Sequence, residues 1–387
     1  MSWNPHVAFD AIPVIDIAPL CDPLCDPAGR ARRQATGDAL HKACREVGFF
    51  YVVNHGCPAS VSAGVRAAAR EWFGRPEEVK RKHAIGPRSE GRGYQGLGAN
   101  VTRYDGGFTR DWHEAIDLFK DFDPDHPDVL AGRPLHVPNV RMDDALELHA
   151  AIDAWRDEAL RLGAAILRGI ALGLGLDERF FEGDNAGDPF WIMRVIHYPP
   201  LPSSVDGEEG GTALHAPDGE AVAAAKSGAH TAKSVPLSCG EHTDYGLLTI
   251  VNQDDDVTAL QVQNAAGAWV DATPVPGAFV CNIGDMLQLW TNGMYKPTVH
   301  RVLNVAGEAR GQSRISVPFF YEPNFDARVE PMPQFFESTG GRARFDPVVY
   351  GEHLTRKVYS NFETEDITEQ EVPSGSTARE GRPPVRV

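Results

Sequence analysis

The stretch Gly240-Glu241-His242-Thr243-Asp244-Tyr245-Gly246 decides how the rest of the chain is read, together with Val299-His300-Arg301-Val302, which begins 55 residues after Asp244. A histidine and a carboxylate two positions apart, with a second histidine far downstream, form the pattern of a facial metal site. Two imidazoles and one carboxylate suit Fe(II) and leave coordination positions open on the opposite face. In a strand, residues i and i+2 share a face. The spacing therefore predicts His242 and Asp244 pointing into one cavity. Leu247-Leu248-Thr249-Ile250-Val251 is rich in β-formers, and Thr298 to Asn304 reads as a further strand.

Outward from this stretch, Ser313 to Phe320 reads as the next strand, and Ala306-Gly307-Glu308-Ala309-Arg310-Gly311 has turn composition. A hairpin of the two strands sets Arg314 roughly across from His300, with Ser316 on the same face. A guanidinium fork beside a hydroxyl is a receptor for a carboxylate. The order His-Thr-Asp, a distant His-Arg-Val, then Arg-Ile-Ser 14 residues after His300 resembles the signature of the 2-oxoglutarate/Fe(II) dioxygenase superfamily, in its isopenicillin N synthase-like branch. The resemblance covers roughly residues 12 to 358.

That resemblance implies a mainly β fold with α: a double-stranded β-helix (jelly roll) core buttressed by N-terminal helices. It implies a catalytic Fe(II) held by His242, Asp244 and His300. It implies 2-oxoglutarate as co-substrate with O2, its far carboxylate met by Arg314, Ser316 and Tyr198, and ascorbate as a candidate reductant. The implied activity is oxidation of a small or medium organic molecule, hydroxylation foremost, with release of succinate and CO2. Desaturation and ring closure use the same kind of site. Isopenicillin N synthase and aminocyclopropane-carboxylate oxidase carry a similar Arg-x-Ser pair without consuming 2-oxoglutarate, so an Fe(II) oxidase is the alternative. A binding module that keeps the fold without catalysis is the third reading.

Composition narrows the partners. The chain has 387 residues, 42% of them hydrophobic, which allows a sizeable core. A net charge of −17 without basic blocks argues against nucleic acid or an anionic membrane as partner. Local arginines must then attract any anionic co-substrate. Six cysteines (Cys21, Cys25, Cys44, Cys57, Cys239 and Cys281) form no paired C-x-x-C sets and predict a reduced, intracellular chain. Met1 to His6 has no signal-peptide core, and no apolar run reaches membrane-spanning length, so the expected location is cytoplasmic. Nothing in the sequence speaks to oligomeric state.

Along the chain, Ile12-Pro13-Val14-Ile15-Asp16-Ile17 opens as a strand, 31–47 follows as a helix, and Gly48 to Gly56 is a buried strand ending in a turn that makes His55 structural. A helix runs from Pro58 to Phe73, and Glu77 to Lys82 reads as a solvated helix. Asp111-Trp112-His113-Glu114-Ala115-Ile116-Asp117 resembles an acidic pattern of the family and is read as structural. Residues 121–142 are loop, and 143–174 form the longest helix, with an apolar stripe from Leu148 to Ile170. Trp191 to Pro200 resembles the family's L-R-L-N-x-Y-P-P; Tyr198 matches the tyrosine, and Ile196 stands where many relatives have asparagine. Residues 201–238 read as an inserted surface loop, either a lid or a passive insertion. Ala259–Gln263 and Gly267–Asp271 form a hairpin, and the many short strands indicate a jelly roll.

The expected organisation is an N-terminal region over 1–120, a loop and supporting helix over 121–180, the jelly-roll core over 181–330, a C-terminal helix over 331–360 and a disordered tail over 361–387. Tyr94, Asn100, Tyr245 and Phe320 are the expected pocket-lining residues.

Overall fold

The computed structural model describes residues 7–22, 27–104, 107–200, 237–304 and 312–362. The expected insertion as far as residue 236, the turn at Ala306–Gly311, Cys25 and the tail from 363 lie outside the described residues.

Alternation along the strands builds a layered core. In Arg314–Tyr321, the residues Ile315, Val317 and Phe319 turn to one face and Arg314 and Ser316 to the other. This strand is central in an eight-stranded sheet. The sheet runs in the order Val14–Asp16, Phe49–Val53, Phe279–Ile283, Leu248–Gln253, Arg314–Tyr321, Ile192–Tyr198, Glu114–Phe119, Gly93–Gln95. A four-stranded sheet, Trp269–Asp271, Leu260–Gln263, His300–Leu303, Leu237–His242, closes over it. Phe49, Tyr51, Ile196, Val262, Val280 and Val302 fill the space between the two. This is the jelly roll.

The other face of the large sheet is buried under helices, chiefly Ala59–Phe73 and Leu146–Gly173, through Trp72, Trp155, Ile166, Ile250 and Phe319. The long helix forms because Leu148, Ile152, Trp155, Ala159, Leu162, Ile166 and Ile170 recur on one side and are all buried. Full burial of each large aliphatic side chain contributes about 1.5–3 kcal/mol. The helix stops at Gly175, whose φ of +70° suits glycine, and the Leu176 N–H donates back to the Ala171 carbonyl at 2.9 Å.

Four expectations change. The strands His300–Leu303 and Arg314–Tyr321 do not pair with each other: the first lies in the small sheet and the second in the large one. His300 faces His242 across the small sheet, and Arg314 faces Tyr198. The Glu77–Lys82 segment is not merely solvated, because Lys80 is buried and donates to Glu114 at 2.6 Å. Tyr94 belongs to the helix-side core, edge-on against Trp72 with its hydroxyl on Glu114 at 2.5 Å. The C-terminal helix spans only Tyr350–Phe362; 3₁₀ turns and a two-residue ladder precede it. His55 is structural, stacked on Phe279 and bonded to the Gly277 carbonyl at 3.0 Å.

The helices Pro27–Glu46 and Leu146–Gly173 touch through glycine. A Cβ on Gly37 would lie 2.8 Å from the Gly169 carbonyl oxygen, a backbone atom that cannot turn aside. Gly37→Val is expected to lower stability by about 1–3 kcal/mol in denaturant unfolding. Gly64→Ala, where a Cβ meets nothing within 4 Å, is the matched control and should stabilise by up to about 1 kcal/mol.

Candidate active site

The small sheet delivers both histidines. Its ladder sets His300 opposite His242. Leu237–His242 ends at His242, and Asp244 lies just beyond the strand, so the i, i+2 rule does not place the carboxylate. The backbone does so instead: the Asp285 N–H donates to the Asp244 carbonyl, and the Gly284 N–H to that of Leu247, both at 2.9 Å. The crossing from the small sheet to the large one is thereby pinned against the turn after Phe279–Ile283.

Each side chain then has one atom held and one atom left over. His242 Nδ1 meets the Gly240 carbonyl at 2.8 Å, and His300 Nδ1 meets that of Thr298 at 3.1 Å. Such contacts fix the tautomer and present Nε2. Asp244 Oδ2 accepts from Thr249 Oγ1 and, at 2.6 Å, from Asn282 Nδ2, which leaves Oδ1. That oxygen lies 3.8 Å from His242 Nε2 and 3.7 Å from His300 Nε2. The three ligand atoms lie within 4.8 Å of one another, and among the described residues no other group of three or more histidine, cysteine or acidic side chains does so. Burial raises the Asp244 carboxyl, but the His300 and His242 imidazoles and the bonds from Thr249 and Asn282 outweigh it and hold it below the ordinary carboxylate range. An ionised oxygen between two free imidazole nitrogens fits a divalent metal of the Fe(II) kind.

The acidic motif read as structural supports this centre. Asp111 Oδ1 accepts from the Gly240 N–H at 3.0 Å, and the Gly240 carbonyl is the one that orients His242. His113 Nδ1 bonds to the Ser238 carbonyl at 2.7 Å on the same strand. Glu114 binds Lys80, Tyr94 and His197, and Asp117 binds Arg194 and Gln95.

Across the interior, the large sheet presents Arg314, Ser316 and Tyr198, all buried. The Arg314 guanidinium lies 4.9 Å from the centre of the Tyr198 ring, and its Nη2 donates to Gln253 at 2.6 Å. Its Nε and Nη1 are buried and have no hydrogen-bond partner among the described residues. A buried cation with unused N–H groups is costly unless an anion completes it, so the residues fit a carboxylate. Ile196 sits opposite Ser316 and adds apolar surface there.

A cleft opens beside His242 and Asp244, lined by Asn100, Tyr245 and Phe320 as expected, and also by Arg194, Glu322 and Leu354. Sequence reading missed Thr249, Asn282, Gln253 and Glu322. Strand parity was the available signal: Thr249 and Gln253 share a face of Leu248–Gln253, and Glu322 continues the face of Arg314 and Ser316.

Removing either donor to Asp244 Oδ2, by Thr249→Val or by Asn282→Leu, is expected to weaken Fe(II) binding about 10–100-fold in an anaerobic metal titration.

Comparison with known proteins identifies the family. The sequence profile for a non-haem dioxygenase N-terminal region, described from morphine synthesis, matches residues 12–144, and that of the 2OG-Fe(II) oxygenase superfamily matches residues 192–323. A homoarginine-6-hydroxylase of Oryza sativa subsp. japonica is 42% identical over 356 residues, covering 92% of this chain and 98% of the relative. The crystal structure of a full-length Neurospora crassa protein in complex with α-ketoglutarate and thymine superposes with a TM-score of 0.70 at 24% identity, covering 90% of this chain and 96% of that one. That of JOX2 with 2OG, Fe and JA gives 0.64 at 26% identity, covering 92% and 90%. With a relative this similar over nearly its whole length, the chain belongs to the 2OG-Fe(II) oxygenase superfamily and is an oxidoreductase that uses Fe(II), 2-oxoglutarate and O2.

Proposed function

We propose that His242 Nε2, Asp244 Oδ1 and His300 Nε2 hold the Fe(II), that Arg314, Ser316 and Tyr198 bind the far carboxylate of 2-oxoglutarate, and that the enzyme hydroxylates a guanidino amino acid of the homoarginine type. The observation that carries the assignment is the pair of complementary binding groups: three ligand atoms converging on one side of the interior, and partnerless Arg314 nitrogens on the other. The substrate class is supported by the relative named homoarginine-6-hydroxylase, matched over 98% of its length.

When bound, Fe(II) with 2-oxoglutarate supplies O2 activation coupled to loss of CO2, leaving succinate and one oxygen atom for a substrate C–H bond. The chain's own residues orient and exclude. Thr249 and Asn282 keep one Asp244 oxygen occupied, so that the other serves as a single-atom ligand. Burial pushes the Tyr198 hydroxyl up to about 12, so it stays protonated and can donate to a carboxylate. Gln253 holds one arm of Arg314 and fixes the direction of the remaining N–H groups. Phe119, Ile192, Phe320 and Leu354 give the cleft apolar walls, which limit water at the reacting centre. No helix among the described residues is long and apolar enough to cross a membrane.

Purified protein loaded with Fe(II) should release one succinate per homoarginine hydroxylated. His242→Ala should abolish both product formation and Fe(II) uptake. Arg314→Met should raise the KM for 2-oxoglutarate about 100-fold, because a buried charge-assisted pair is lost. O2 consumption and product without succinate would instead mark an oxidase.

A further inference from the structure

Beside the metal triad, the cleft holds a carboxylate that the chemistry above does not use. Glu322 continues the inward face of Arg314–Tyr321, is 3% exposed and lines the cleft. Its Oε2 has no hydrogen-bond partner among the described residues. The carboxylate packs so closely on Gly246, two residues past Asp244, that a Cβ there would overlap it. Glycine at 246 therefore makes room for a buried acid next to the metal ligand. A buried carboxylate with an unused oxygen gains most from an incoming cation.

A second incomplete group faces the same cleft. Arg194 Nε donates to Asp117 at 2.7 Å, and Gln95 holds the other Asp117 oxygen at 2.6 Å. Arg194 Nη2 is buried and has no partner among the described residues. Asp117 is thus committed to Arg194, and Glu322 is the acid left for a ligand. Phe320 lies opposite Ile192 in the ladder. Arg194 and Glu322 leave that pair in opposite directions, which separates their backbones by about four strand positions, or roughly 13 Å. Apolar side chains, Ile192 and Phe320 among them, line the span.

We infer that Glu322 binds the guanidinium of the substrate and Arg194 its α-carboxylate, so that a long aliphatic zwitterion lies extended between them. This rests on the Fe(II)/2-oxoglutarate reading of the same site and specifies its substrate contacts. Glu322 abuts Gly246, two residues past Asp244, which puts the guanidinium end of the substrate on the His242 and Asp244 side of the cleft. The two poles select against shorter diamines, neutral side chains and decarboxylated substrates.

The test is anaerobic calorimetry on the Fe(II)- and 2-oxoglutarate-loaded protein. Homoarginine is compared with homocitrulline, its neutral isostere, and with decarboxylated homoarginine, which lacks the carboxylate. Wild type should bind homoarginine about 100-fold more tightly than either analogue. Glu322→Gln should lose about 100-fold for homoarginine and little for homocitrulline, erasing the preference. Equal losses for both ligands, or no loss, would overturn the assignment of Glu322. The ligand series on wild type tests the charge preference itself, and its absence would overturn the inference even if the variant folds poorly. Succinate release driven only by a neutral or anionic substrate would overturn this inference and the guanidino substrate class, and would leave the Fe(II)/2-oxoglutarate assignment standing. Absence of succinate release with any substrate, from protein that has taken up Fe(II), would overturn the underlying reading as well.

Discussion

Everything at the centre depends on keeping one ionised carboxylate inside a β-sandwich. An unpaired charge there costs several kcal/mol, and Asp244 is almost fully enclosed. The fold offsets that cost on one oxygen only, with Thr249 and Asn282 from two neighbouring strands of the large sheet. The other oxygen is left facing two imidazoles whose second nitrogens are tied to backbone carbonyls. The arrangement is satisfied by halves. A divalent metal would complete it, at three ligand atoms that already lie within 4.8 Å of one another. This is preorganisation in the sense that the ligand directions are set by strand register at the histidines and by backbone hydrogen bonds at Asp244, and not by the ion.

The parts of this design that were legible in the sequence are those carried by residue type and short-range order. His242, Asp244 and His300 are identifiable because two imidazoles and a carboxylate in that order have few other uses. The helix Leu146–Gly173 was legible because its stripe repeats at the helical period over many turns. Pairing was not. Two strands joined by a short polar segment favour a hairpin on local grounds, and a jelly roll overrides that preference by sending successive strands to opposite sheets. Lys80 and Tyr94 were misplaced for a related reason. A charged helix and a glycine-rich segment both look like surface, and neither shows that Glu114, on a strand more than thirty residues downstream of Lys80, will draw the ammonium and the phenol inward.

Charge is arranged against the global field. The chain carries −17 overall, yet its interior holds arginines at Arg314 and Arg194 with unused N–H groups. A dianionic co-substrate is repelled at long range and bound only where the solvent is excluded and the local cation dominates. Arg194 is half satisfied by Asp117, and Arg314 by Gln253 on the neighbouring strand. In both cases one arm of the guanidinium is anchored and another is left for a ligand. Holding one arm lowers the entropy lost on binding.

The separation of the two ligand sets follows from the topology that the local reading missed. Neighbouring strands lie about 4.8 Å apart, whereas facing sheets pack about 10 Å apart. Had His300 and Arg314 been partners in one hairpin, the guanidinium would stand beside the metal, with no room for a five-carbon diacid between them. With the histidines on the small sheet and Arg314, Ser316 and Tyr198 on the large one, the interior of the sandwich spans the length of such a molecule. The same strand that carries Arg314 at its start reaches Glu322 just past its end. One strand therefore presents a cation toward the proposed co-substrate pocket and an acid toward the open cleft, and its eight residues of length keep the two apart. Opposite charges that close together would neutralise each other remain separately available, because a β-strand is stiff and its inward face advances by two residues at a time.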